Sequence, residues 1–152
     1  MPQFNNYNRT NAGQQRNGFT QQEQPKPVFD VKTLNQINYV QLAESVIKKH
    51  KDGNAITTTQ LRGLFALLTE LREILRVQQS SKLDEALQSR VQYIKMRFVY
   101  AAGRGEKGVP EFMIQSSMID CLNTVHDSAK QFELVCKYME ALVAYHKFYI
   151  NK

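Results

Sequence analysis

Beyond residue 30 of this 152-residue chain, apolar side chains recur every three or four positions, and no run alternates as a half-buried strand would. That period confines the chain to an all-α architecture, a compact bundle of about five helices. The helical segments begin near Asn38, Thr57, Ser81, Pro110 and Ser128, and end near Lys51, Gln78, Gly103, Val125 and Ile150. Asn38 with Gln41, Thr57 with Gln60 and Ser128 with Gln131 have the spacing of capping boxes, and Gly53 that of a helix terminator. Pro110 suits the first position of a helix. Connections of about 4–8 residues set neighbouring helices antiparallel. The last helix carries Phe132, Val135, Cys136, Met139 and Val143 on one side and Leu134, Tyr138, Ala141 and Tyr145 on another. A helix apolar over so much of its circumference belongs at the centre of the bundle or under a partner.

Composition divides the chain. The first thirty residues hold six Gln and five Asn, with four unspaced aromatics, and cannot bury enough apolar surface to offset their chain entropy. Residues 1–34 are read as a disordered tail and residues 35–152 as the helical domain. The chain carries +6, of which the tail supplies +1, so the positive charge sits on the folded part. Such a balance favours polyanionic partners. Two cysteines exclude a disulfide scaffold, and no run approaches the ~18–20 apolar residues of a membrane span. With no apolar leader segment at the N-terminus, the expectation is a cytoplasmic protein.

The third helix holds the most informative pattern. Leu87, Val91, Ile94, Phe98 and Ala101 form its core stripe, and Arg90, Arg97 and Arg104 recur every seven residues beside it, with Tyr93 and Tyr100 on the adjoining edge. At ~1.5 Å rise per residue these arginines stand about 10.5 Å apart. Planar guanidinium groups on a rigid rod suit a phosphate backbone, and the rings beside them can stack on unpaired bases. The alternative is ordinary surface ion pairing, but the helix has no carboxylate between Glu85 and Glu106. Arg62, Thr69 and Arg76, with Arg72 nearby, repeat the device on the second helix, where Glu70 and Glu73 offer pairing within the helix. Lys107 joins Arg104 in a glycine-rich loop ahead of a helix N-terminus, an arrangement that can hold a phosphate. The loop spells G-x-G-x-x-G at Gly103, Gly105 and Gly108, yet a helix precedes it and no strand exists, so it is not a dinucleotide site.

Searches for chemistry fail. Cys121 and Cys136 lie on apolar stripes, and His50, His126 and His146 have no metal-ligand spacing. His146 reads as a buried structural histidine. No pair of carboxylates has surroundings that would separate two pKa values. The expectation is no catalysis, no metal and no cofactor.

Tyr93–Arg104, reading YIKMRFVYAAGR, Glu140–Tyr149, reading EALVAYHKFY, and Thr57–Leu68, reading TTTQLRGLFALL, resemble the signature stretches of the small subunit of type III-A CRISPR effector (Csm) complexes. The resemblance spans roughly residues 35–150. It implies a helical, non-catalytic protein whose copies line up beside guide RNA and target RNA, pack with one another and with the other Csm subunits, and serve antiviral defence. Carried onto this sequence it adds Lys95 to Arg97 and Arg104, supports Arg62, and includes His146 and Lys147. The RNA-binding set is therefore Arg62, Arg90, Lys95, Arg97, Arg104, Lys107 and Lys147. The competing reading is a helical protein–protein adaptor whose arginine rows grip acidic partners.

Overall fold

A computed structural model describes residues 24–151. Their regular structure is one 3-10 turn, Val31–Thr33, and six α-helices: α1 Tyr39–His50, α2 Thr58–Gln78, α3 Glu85–Gly103, α4 Val109–Ser116, α5 Met118–Asn123 and α6 Ala129–Tyr149. Among the described residues the only strand-like pairing is an isolated bridge, Lys82 to Ser128.

Where the apolar pattern alone reads one helix from Pro110 to Val125, there are two. Ser117 takes a left-handed conformation (φ 55°, ψ 29°), ending α4 and opening α5. The break leaves the Ser116 carbonyl available, and the buried Tyr138 hydroxyl of α6 donates to it at 2.7 Å. A tertiary hydrogen bond thus anchors a turn that a serine does not favour by itself.

The caps divide the same way. Thr57 and Gln60 form both bonds of a capping box. Ser128 accepts the Gln131 N–H, while the Gln131 side chain donates instead to Thr124 Oγ1 at 3.0 Å. The Asn38–Gln41 box does not form. Asn38 turns backward, accepting from the Asn35 N–H and donating to the Thr33 carbonyl. Gly53 does not terminate α1, which ends at His50 with Lys51 as its cap in ordinary right-handed geometry. Helix α3 opens later than Ser81, at Glu85, because Asp84 caps the Leu87 N–H and Ser81–Leu83 bond to Asp127 and Ala129. Pro110 is the second residue of α4, a position where its missing N–H still costs nothing.

Helix α6 packs against α1 and α2 along its length and touches α5. Its buried residues, Phe132, Leu134, Val135, Cys136, Tyr138, Met139, Leu142 and His146, span far more than one stripe, as a central helix requires. Part of the segment that composition assigns to the tail also lies on the bundle. The Val28 N–H donates to the Gln115 carbonyl at 3.1 Å, and the Phe29 ring meets Tyr138 edge-on at 5.6 Å. Residues 1–23 of the expected tail lie outside the described residues.

Five helix ends converge around one peptide. The Ile56 N–H donates to His50 Nε2 at the end of α1 (2.9 Å), and the Ile56 carbonyl accepts from His146 Nε2 near the end of α6 (2.7 Å). The α3–α4 loop presses on the same place. Gly108 stands at φ 90°, and a Cβ there would lie 2.5 Å from Ala55 C and Ile56 N. Only glycine fits. Lysines at the ends of α1 and α6 therefore share one end of the bundle with the start of α2 and the Arg104–Lys107 loop.

Candidate nucleic-acid interface

Helix α3 buries Leu87, Val91, Ile94 and Phe98. At 100° per residue, Arg90, Arg97 and Arg104 flank this stripe and Tyr93 and Tyr100 follow further round. Both tyrosines are more than half exposed, and Met96 and Val99 beside them are also open to solvent. Arg97 is held by its own helix: Nη1 donates to Tyr93 Oη at 3.0 Å and the guanidinium lies 5.8 Å from the ring centroid. Arg104 caps α3 and pairs with Glu106 at 2.7 Å. The carboxylate missing from α3 beyond Glu85 is thus supplied three residues after its end.

Between the first turns of α2 and the last turns of α3 lies an open cleft of about 410 Å³. Leu64, Leu67, Ala101 and Val109 give it apolar walls, while Arg97, Tyr100, Arg104, Gln60 and Glu106 border it. Gln60 ties its two sides together. Gln60 Oε1 accepts the Thr57 N–H at 3.0 Å, and Nε2 donates to Glu106 Oε2 at 2.8 Å, whose other oxygen holds Arg104. The capping box of α2 and the glycine loop are therefore one hydrogen-bonded chain. Gly63 also lines the cleft, inside α2. Its φ is not positive, and among the described residues nothing lies within 4 Å of where a Cβ would be. Glycine in a helix interior costs about 0.8–1.0 kcal/mol relative to alanine, and no contact among the described residues requires it here.

The remaining predicted cations are more dispersed. Arg62 is exposed on α2 beside Gly63, and Lys107 is exposed after Glu106. Arg90 lies two turns from Arg97 along α3. Lys95 is 200° round the helix from Arg97, on the opposite flank, and half-buried. Lys147 follows the buried His146 and faces solvent at the same end as the cleft. Among the described residues, Arg104 alone of these seven has a carboxylate within 4.0 Å.

Arg72 behaves differently from its neighbours on α2. It is buried, grips Glu133 through Nε and Nη2, and reaches Glu140 through Nη1 at 3.1 Å. The hydrogen bonds to Glu133, followed by those to Glu140, outweigh burial and hold the guanidinium above its ordinary pKa. Arg72 thus joins α2 to α6. The seven-residue spacing of Glu133 and Glu140 was the available signal. Arg76 pairs within its helix, with Glu73 at 2.8 Å. A second aromatic–basic group, absent from the sequence reading as a set, stands at the end of α6. Lys48 and Lys51 lie 5.7 and 5.3 Å from the Tyr149 ring, whose hydroxyl donates to Glu44 at 2.8 Å.

Both cysteines and two of the three histidines, His50 and His146, are buried, while His126 is exposed. Cys121 and Cys136 are fully buried, and burial pushes both thiols up to about 12. Burial lowers the pKa of His50, opposing its hydrogen bond to Gln115. Since His50 Nε2 accepts from Ile56, its proton sits on Nδ1, donated to Gln115 Oε1 at 2.8 Å. No described helix is long and apolar enough to cross a membrane.

The family model for Csm2, type III-A, matches residues 32–152. Among characterised proteins, the chain is similar to the CRISPR system Cms protein Csm2 of Mycobacterium tuberculosis H37Rv, 37% identical over 115 residues, which is 74% of this chain and 92% of that protein. The Csm2 protein of Streptococcus thermophilus is 37% identical over 123 residues, 78% of this chain and 97% of the relative. That of Enterococcus italicus is 36% identical over 99 residues, 63% and 69% of the two chains.

Proposed function

Because the chain belongs to the Csm2 family of type III-A CRISPR systems, we propose that it is a non-catalytic small subunit of the RNA-guided effector, acting in antiviral defence in the cytoplasm and binding guide or target RNA through its basic helical surface. The observation that carries this reading is the flank of α3. Arg90, Arg97 and Arg104 follow one edge, two of them without a carboxylate partner among the described residues, beside two half-exposed tyrosines. Arginines so placed neutralise phosphates spaced along a strand and release counterions, giving affinity without sequence readout. Guide–target pairing supplies the sequence specificity. Copies of the chain pack with one another and with the other subunits in a filament, and avidity along it raises the modest affinity of a single copy.

Fluorescence anisotropy of labelled single-stranded RNA over a salt series tests the reading. The wild-type affinity falls linearly with log salt at a slope of about −0.7 per phosphate contact. Arg97→Ala/Arg104→Ala, helical by circular dichroism, reduces the steepness of that slope by about 1.4. A folded double variant with the wild-type affinity and slope refutes this assignment of the surface.

A further inference from the structure

We propose that the cleft between α2 and α3 receives one unpaired nucleotide of a bound RNA strand, its base lying over Gly63 and its phosphates on Arg97 and Arg104. The inference rests on the RNA-binding reading above and specifies what this part of the surface holds. Gly63 is the starting point. Glycine inside a helix is expected where the backbone must turn unusually or where another group comes close. The first does not apply, and none of the described residues approaches, since among them the space beyond its Cα is open. The described fold leaves that space to a bound group, and the lining of the cleft says which kind.

The lining describes that occupant. Leu64, Leu67, Ala101 and Val109 provide an apolar surface that a purely phosphate-binding groove would not need. Tyr100 stands at its edge, 63% exposed as a residue and with no aromatic partner among the described residues. A nucleobase offers two flat faces to such a surface, but only when it is out of its pair, because a paired and stacked base exposes edges alone. The border then matches the rest of a nucleotide. Arg97 and Arg104 are donors for phosphate, and Glu106, already bonded to Gln60 and Arg104, keeps acceptor capacity for an exocyclic amino group. The cleft volume of about 410 Å³ lies within the range of sites that enclose small ligands, about 300–1,000 Å³.

Gly63→Leu tests this directly, because the side chain enters open space and replaces glycine with a strong helix former. Three probes are compared by anisotropy on the full-length protein: a single-stranded RNA 12-mer, the same backbone with abasic residues, and a fully paired RNA duplex. Wild type should prefer the 12-mer over its abasic counterpart by roughly 5- to 150-fold. Gly63→Leu should erase that preference, with abasic and duplex affinities within about twofold of wild type and a melting temperature no lower. Tyr100→Ala, at an exposed position, should reduce the same preference and provides the test should Gly63→Leu fail to fold. A wild type that binds the 12-mer and the abasic strand equally, or a folded Gly63→Leu that keeps the preference, overturns the base site while leaving the RNA surface standing. Wild type that binds none of the three at low salt overturns both readings.

Discussion

Replacing Gly108 with alanine should destabilise the protein by about 3 kcal/mol, worked from two separate costs. The first is conformational. Gly108 lies at φ 90° and ψ −22°, and a left-handed conformation costs an L-residue roughly 1–2 kcal/mol. The second is contact. The new Cβ would lie 2.5 Å from Ala55 C and Ile56 N and 2.6 Å from Ala55 O, and these are backbone atoms with no rotamer to adopt. Relief requires moving the Ile56 peptide, which His50 and His146 hold at 2.9 and 2.7 Å. Weakening two such bonds costs about 0.5–1.5 kcal/mol each. The total is a substantial part of a stability of about 5–15 kcal/mol. Urea denaturation followed by circular dichroism should show an unchanged m-value and a midpoint lower by about 1.5–2 M, for m near 1.5–2 kcal/mol per M. Gly105→Ala separates the costs, because Gly105 has φ 70° but nothing within 4 Å, and should lose only about 1 kcal/mol. If Gly108→Ala loses no more than Gly105→Ala, the loop does not bear on the Ile56 peptide and the account of this end of the bundle is wrong.

Two further perturbations test the buried polar groups. Burial keeps the His50 pKa below 6.5, so as pH falls through 6.5 the unfolded chain takes up a proton that the folded chain does not. Stability complete above about pH 6.5 is therefore lost on descending towards the lower folded-state pKa, by no more than about 1.4 kcal/mol between pH 7.5 and 5.5. Urea midpoints across that range should show the loss, and His50→Gln should flatten it; an unaltered slope in a folded variant would assign the effect elsewhere. Arg72→Met removes the cation between Glu133 and Glu140 and should cost about 1–3 kcal/mol, less than a wholly buried pair because both carboxylates retain solvent. Adding Glu133→Gln and Glu140→Gln should recover more than half of that loss in equilibrium unfolding, and a single variant as stable as wild type would deny the clamp its role.

What the sequence determined by itself was local and periodic. Helix type followed from the apolar spacing, the Thr57–Gln60 cap from its two residues, and the central place of α6 from its wide apolar circumference. The arginine row of α3 was legible because seven residues close nearly two turns, and the YIKMR, TTTQLRG and YHKF segments pointed to the family that the comparisons then established. The tertiary structure decided what depends on atoms distant in the chain. It broke the Pro110–Val125 segment at Ser117, where Tyr138 supplies a bond from twenty-two residues away. It took Arg72 out of the surface row and gave Arg104 a partner in Glu106. It laid Phe29 against the core although the composition around it reads as tail. It also made Gly108 indispensable to the fold and left Gly63 without a reason inside it, though both are glycines near helix starts in one sequence. Periodicity reports which face of a helix is buried, because that is fixed by rotation along a single chain. It does not report which polar group or peptide stands opposite, because that is fixed by the packing of one helix on another.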